Sequence, residues 1–407
     1  MKRAILLAVV AASLIACGVV APPAPTPGSS GLTNGAPLSG NVTLWHTYTT
    51  NTPGVSRGAA EAVGKALDLV RTQNPGLNLT VREVNLGDLF ISYQLKAAGG
   101  EPDVVFAPND NEGDFARGGM SADLAGAFTP IELGGFSPLA VEGSTVNDQL
   151  VQAPAMLRAV AIYYRTDRVP TFPRTTDDLL TAVHDDGLKL GLYQAIYQVF
   201  GFWGSFGGSL MDGSGKCVAD TTGVGNSFLY YSKLKTAGAI WYAPDAYEQM
   251  AADFKSGALD AVIDGPWVGA DYRDAMGDNL AVAALPAGPA GPALPMVGVD
   301  GLTVNPHSAN TALASAFAKR MTQPDVLSLL SGQSVQIPAD TSVQPADPLS
   351  AQFAAAATSG VPRPQLPQLG AFWGRFGTAL DDVLNNGADP QGAVEDACAQ
   401  MNSDNGL

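Results

Sequence analysis

The side chains that usually carry catalysis are sparse in this 407-residue chain and poorly spaced for it. Its three histidines are His46, His184 and His307, and no two share a helical turn, so metal chemistry is not indicated. Three cysteines (Cys17, Cys217, Cys398) are too few for a disulfide scaffold and lack the paired spacing of a structural zinc site. Glycoside hydrolysis needs two carboxyl groups at a set separation across the scissile bond. With 38 acidic residues in the chain, no pair stands out. Gly213-Ser214-Gly215-Lys216-Cys217 approaches a phosphate-binding loop, but Leu210 replaces its earlier glycine and Cys217 stands where Ser or Thr is needed. Asn109-Asp110-Asn111-Glu112-Gly113-Asp114 has calcium-loop composition with its glycine out of register. No metal and no cofactor is expected.

Composition narrows the class further. Apolar residues make up 46% of the chain, enough for sizeable cores and too many for a mainly disordered protein. The formal charge of −16 argues against nucleic acid and against adsorption to anionic lipid, both of which call for a basic surface. Met1-Lys2-Arg3 followed by the apolar run Ala4 to Ala12 has the form of a signal peptide, here residues 1–16, and is too short to span a bilayer. The run ends in Leu14-Ile15-Ala16-Cys17-Gly18, which resembles the lipobox of bacterial lipoproteins and implies acylation of Cys17. Residues 21–40 are rich in Pro, Gly and Ser, and 17–40 read as the acylated cysteine followed by a flexible tether. The protein is therefore expected to be exported and lipid-anchored at the cell envelope, touching the membrane through that anchor only. With Cys17 acylated, Cys217 and Cys398 remain in an oxidising compartment, either as a disulfide or as two buried thiols.

The elements that position any site read as α/β. Val42-Thr43-Leu44-Trp45 is β-prone, and Ser56 offers an N-cap to a helix whose apolar residues Ala60, Val63, Leu67 and Val70 recur at helical steps. Asn74-Pro75-Gly76 ends it, and Leu77, Leu79 and Val81 then alternate with polar residues as a strand. Asp103-Val104-Val105-Phe106 is another short strand. Such spacing means parallel strands with right-handed crossovers, whose ligands gather beyond the carboxyl ends. The loops after Trp45 and Phe106, with Thr47, Tyr48 and Asn109, should therefore face one crevice. Later, Tyr247 to Lys255 reads as a helix and Ala258 to Ile263 as a strand, broken by Asp264-Gly265-Pro266-Trp267.

These motifs together resemble the maltose-binding protein family of extracellular solute-binding proteins, the receptors of sugar-importing ABC transporters. The resemblance runs from about residue 42 to about 400. It rests on Pro102-Asp103-Val104-Val105-Phe106, Ala153-Pro154, Ile162 through Asp167, Pro173 through Leu179, Phe254-Lys255-Ser256-Gly257, Gly265-Pro266-Trp267, and Pro367-Gln368 with Ala371-Phe372-Trp373. It implies two lobes, each a sheet flanked by helices, joined by three hinge crossings near Pro154 to Arg158, Val297 to Leu302 and Gln344 to Leu349. Lobe 1 would comprise 41–155 and 300–345, and lobe 2 would comprise 156–299 and 346–404. A ligand would lie in the cleft between them.

A pyranose offers a C–H face that stacks on aromatic rings and hydroxyls that need acceptors and donors. Matched to the family motifs, Trp267 and Trp373 are expected as stacking platforms, with Tyr197, ten residues before Gly207-Gly208, as a third. Tyr247 matches a cleft phenol, and Asp110 a carboxylate that accepts sugar hydroxyls. Departures are equally informative. Ala107 stands where maltose-binding proteins place a tryptophan, Asn111 where an arginine follows the aspartate, and Arg158 where a glutamate is frequent. Arg158 either donates to the ligand, whether hydroxyl, carboxylate or sulfate, or forms an interlobe salt bridge. Trp203, with Phe200 and Phe202, either adds aromatic surface or forms a buried cluster. The expected protein is a monomeric receptor that performs no chemistry, takes a maltose-like or other oligosaccharide and delivers it to permease subunits. The alternatives are an exported glycoside hydrolase and a receptor for a non-sugar ligand.

Overall fold

The computed structural model describes residues 37–50, 55–345 and 347–407. The signal segment, the lipobox cysteine Cys17 and the tether as far as residue 36 lie outside the described residues. The folded unit runs from Pro37 to Leu407. It therefore begins a few residues before the expected end of the tether, because Leu38 is buried and its N–H donates to Asn74 Oδ1 at 2.7 Å.

Strand β1 (Ser39–His46) leads into the helix Arg57–Gln73, whose N-cap Ser56 accepts a hydrogen bond from the Ala59 N–H on its hydroxyl. The helix buries Ala59, Ala62, Val63, Ala66, Leu67 and Val70, one apolar stripe at helical spacing. Strands β2 (Gly76–Glu83) and β3 (Val104–Pro108) then flank β1, both parallel to it. A short hairpin, β4 (Thr145–Val146) and β5 (Gln149–Leu150), precedes β6 (Ala153–Arg158). The next run is β7 (Ala161–Arg165), β8 (Leu190–Tyr193), β9 (Ile240–Tyr242), β10 (Ala261–Asp264) and β11 (Leu280–Ala283). Last come β12 (Met296–Val304), β13 (Ile337–Pro338) and β14 (Val361–Pro362).

Two sheets result, one per lobe. The first has the order β13-β6-β12-β3-β1-β2, with β14 added to β12, and the second has the order β11-β7-β10-β8-β9. The fold is thus the expected two-lobed α/β architecture, with helices packed on both sheets. All nine residues of β12 are buried, as befits a strand in the middle of the first sheet. The chain passes between sheets at Ala159-Val160, between β11 and β12, and again after β13, where the helix Pro348–Ala356 reaches β11 through a Val282 N–H bond to Gln352 Oε1 of 2.6 Å. The first two expected crossings, Pro154 to Arg158 and Val297 to Leu302, are strands of the first sheet paired antiparallel with each other. Their ladder keeps both in the first sheet until just before the chain turns away.

Two helices, Leu369–Asn385 and Pro390–Asp404, end the chain and pack on the second lobe. Cys217 and Cys398 form a disulfide, with Cα atoms 5.5 Å apart. It fixes the last helix to the loop that resembles a phosphate-binding turn. That loop is closed on itself, because Asp212 Oδ1 accepts the N–H groups of Ser214 and Lys216.

Candidate ligand-binding site

A cavity of about 890 Å³ lies where the carboxyl ends of the first-sheet strands face the second lobe. Eight of the nine expected ligand-binding residues line it: Thr47, Tyr48, Asp110, Arg158, Tyr197, Tyr247, Trp267 and Trp373.

The ninth, Asn109, does not. Its side chain is fully buried, its Nδ2 donates to the Gly143 carbonyl (2.8 Å), and its Oδ1 accepts from the Val299 N–H (3.1 Å). Both polar ends are bonded to backbone, so Asn109 fastens the loop to β12 and, fully buried, does not reach the cavity.

The second lobe supplies an aromatic wall. Trp267 follows β10, where Pro266 stops the strand and the ring folds back across Gly265. A Cβ there would stand 2.1 Å from the indole, so the glycine is required by this close approach. The Trp267 Nε1–H donates to the Tyr247 hydroxyl at 2.9 Å. Tyr197 stands beside it, its ring centroid 6.1 Å from Trp267 and 6.4 Å from Trp373, and its hydroxyl donates to the Met296 carbonyl. Burial pushes the Tyr197 phenol up to about 12, so it stays a neutral donor. Trp373 lies in the first turns of the helix Leu369–Asn385. Its neighbours Phe372 and Phe376 go to the core while Trp373 stays half-buried at the cavity.

The floor is a chain of alternating charges. Arg158, at the end of β6, donates from Nη2 to Asp110 Oδ2 at 2.8 Å, and its Nε lies 3.3 Å from Asp300 Oδ1 on β12. Asp110 also pairs with Arg363, which follows β14 and is 3% exposed. Burial pushes Arg363 down to about 10, which leaves it charged at neutral pH. Both guanidinium groups also lie over aromatic rings: Arg158 is 5.6 Å from Trp267, and Arg363 is 5.4 Å from Tyr197 and 5.3 Å from Trp373. Arg158 is thus a salt-bridge partner of two first-lobe carboxylates. The Tyr48 hydroxyl, raised well above the usual phenol range first by burial and then by Asp300, faces that carboxylate.

Several lining residues were not anticipated: Asp300, Arg363, Gln336, Tyr193, Asp245 and Glu248. Asp300 had a signal, being the one charge inside the apolar run Met296 to Val304. Asp245 and Glu248 are exposed and make the rim acidic. Trp203, Phe202 and Phe200 are buried in the second-lobe core, so they form the packed cluster and add nothing to the wall. Among the described residues, no group of three His, Cys, Asp or Glu side chains is placed to hold a metal ion.

The architecture agrees with that of known proteins. A maltooligosaccharide ABC transporter solute-binding lipoprotein of Streptococcus pneumoniae is 25% identical, covering 83% of this chain and 84% of the relative. A maltotriose-binding protein of Pyrococcus abyssi is 26% identical, covering 86% and 78%. The structure of the Thermus thermophilus maltotriose-binding protein bound with maltotriose superposes with a TM-score of 0.75 at 25% identity, covering 89% of this chain and 99% of that one. Across residues 54–327 the sequence also matches the model of one family, and the chain belongs to it: the bacterial extracellular solute-binding proteins.

Proposed function

We propose that the protein is the sugar-binding receptor of an ABC importer, capturing a maltooligosaccharide or a similar glycan between its lobes and delivering it to membrane permease subunits. The observation that carries this reading is the aromatic wall of Trp267, Tyr197 and Trp373 facing hydrogen-bonding side chains in one cavity of about 890 Å³. Rings supply stacking area for the C–H faces of pyranoses, and Asp110, Arg158, Thr47 and Tyr48 supply acceptors and donors for their hydroxyls, while the Tyr247 hydroxyl is taken up by Asp264 and the Trp267 indole. Ligand contacts from both lobes form together only when the lobes close, so binding energy drives closure.

The floor carboxylates do not suit hydrolysis. Glycoside hydrolysis needs two carboxyl groups free to act on either side of the scissile bond, whereas Asp110 is engaged by Arg158 and Arg363 and Asp300 by Arg158. The names of the Streptococcus and Pyrococcus relatives support a glucan ligand. The proposal extends to a monomer of two discontinuous lobes divided at Ala159-Val160, between β11 and β12, and after β13, because the expected divisions at 155/156 and 299/300 would cut β6 and β12, which pair within the first sheet. Its anchor is acylated Cys17 at the cell envelope, supported by the lipobox and by a relative named as a lipoprotein.

Calorimetry against a panel of mono- and oligosaccharides tests the central claim. Saturable binding of maltotriose or a related glycan is expected. Silence across every sugar, with binding of an amino acid or a metal chelate, would overturn it.

A further inference from the structure

Asp264 closes β10 at the foot of the Trp267 loop and has no part in the binding chemistry described above. It is completely buried, and among the described residues no lysine, arginine or histidine forms an ion pair with it. Its hydrogen-bond partners are hydroxyls and a backbone amide instead, and the nearby Trp267 side chain also favours its charged form. The Tyr247 hydroxyl lies 3.0 and 3.1 Å from its two oxygens, the Tyr272 hydroxyl 3.1 Å from Oδ2, and the Gly265 N–H 2.8 Å from Oδ1.

Counting protons along this chain fixes its direction. The Trp267 indole N–H can only donate, and it donates to the Tyr247 oxygen. Tyr247 has a single proton, which then goes to Asp264. The carboxylate can only accept, so it orients the phenol and leaves a Tyr247 lone pair free for the indole. On its other side the ring rests on Gly265, where no Cβ intervenes. The tilt of the indole is therefore set by a glycine beneath it and a hydrogen-bonded relay at its edge.

We propose that Asp264 is a positioning residue which, acting through Tyr247, fixes the plane of the Trp267 ring against which the ligand stacks, without touching the ligand. The proposal rests on the sugar-binding reading for its consequence, though not for its geometry. Burial pushes the Asp264 carboxyl up to about 7. Once protonated, its O–H competes with the indole for the Tyr247 lone pair, so the relay holds best above neutral pH and loosens below it. The groups that face Asp264 are Tyr163 from β7, Tyr193 from β8, Tyr247, Tyr272 and Trp267. All four phenols are raised by burial and keep their protons through the neutral range. Beyond them, Asp245 faces Tyr193, while Asp347 and Arg273, paired with each other, face Tyr163.

The first test needs no sugar. In a 1H–15N spectrum of the full chain, the Trp267 indole resonance is identified by its loss in Trp267→Phe and followed from about pH 5.5 to about pH 8.5. It should titrate with a midpoint near neutrality and become pH-independent in Asp264→Asn. A flat wild-type resonance would overturn the proposal. The second test is a double-mutant cycle read by maltotriose calorimetry. Asp264→Asn should weaken binding about fivefold to tenfold in the wild-type background and not at all beside Trp267→Ala. Tyr272→Phe removes a comparable bond to Asp264 outside the relay and should leave affinity unchanged. Equal losses in both backgrounds would show a general effect on the lobe and refute positioning. If the wild type bound no saccharide, the receptor reading would fall while the resonance still decided the relay.

Discussion

Trp373 and Trp203 differ by position alone, and that difference makes the sharpest test of the aromatic wall. Trp373 is half-buried at the cavity, with its ring 4.8 Å from Phe372, whereas Trp203 is 1% exposed inside the second-lobe core. A tryptophan buries roughly 150–250 Å², and one face covered by a sugar is about half of that, about 100 Å². At about 25 cal/mol per Å² the stack contributes about 2.5 kcal/mol, or about sixtyfold in Kd. Trp373→Ala should therefore bind maltotriose about sixtyfold more weakly by calorimetry and lose about 1 kcal/mol of stability. Trp203→Ala should do the reverse, losing about 3–5 kcal/mol in urea unfolding while binding normally at temperatures where it stays folded. An unchanged Kd for Trp373→Ala would refute the stacking argument, as would an equal loss of affinity in a folded Trp203→Ala protein.

Four further outcomes are expected. Asn109→Ala should lower stability by about 2 kcal/mol in denaturant titration, since it leaves the Gly143 carbonyl and the Val299 N–H unpaired, with no first-order change in sugar contacts. Replacing Cys217 and Cys398 by Ala opens a loop of sequence separation 181, for which chain entropy gives a loss of up to about 5 kcal/mol, read as the difference in unfolding between mutant and oxidised wild type. Glu112 is buried against Thr303 and pushed up to about 8, so the folded protein keeps a proton that the unfolded chain has released. Stability should fall as pH rises from about 4.5 to about 8, by at most about 1.4 kcal/mol per unit, and the slope should flatten in Glu112→Gln. A uronic-acid or sulfated sugar should bind at least about tenfold more weakly than its neutral counterpart at equal ionic strength, because both floor arginines are already paired and the rim carries Asp245 and Glu248.

What could be read from the chain follows from how local each cause is. The alternation of Leu77, Leu79 and Val81, the Ser56 cap and the strand stop at Gly265-Pro266 act over a few residues, so both the parallel β1–β3 part of the first sheet and the Trp267 loop were legible, whereas the antiparallel pairing of β12 with β3 and β6 was not. Asn109 was misplaced because a loop position fixes where a backbone goes and not where its amide points. Here a buried carbonyl and a buried N–H from distant segments claimed the side chain. Arg363 carried no local signal, since its ion pair with Asp110 depends on β14 reaching β12, a pairing between segments some 65 residues apart in the chain that no periodicity announces. Arg158 stands out in the sequence as a reversed charge, but its salt-bridge role depends on Asp300, hidden in an apolar strand.

The floor charges share a property that the aromatic wall lacks. Arg158 ends β6, Asp300 lies within β12, and Arg363 follows β14, so every segment near a crossing brings one charge to the cleft. These three strands are hydrogen-bonded to one another: β6 runs antiparallel and β14 parallel to β12, and the Arg363 N–H donates to the Val297 carbonyl at 2.9 Å. Their spacing is therefore held by backbone ladders, which do not change when lobes move as rigid bodies. Asp110 is held to the same frame, because Gln365 donates to the Asn109 carbonyl and accepts from the Gly113 N–H. Trp267, Tyr197 and Trp373 instead belong to the second lobe, and Thr47 and Tyr48 to the first. Lobe opening would then separate the rings from the Thr47–Tyr48 loop while leaving the charged floor assembled. A ligand entering such a cleft meets paired charges that need no rearrangement, so its binding energy goes chiefly into bringing the aromatic wall and the first-lobe loops together across it.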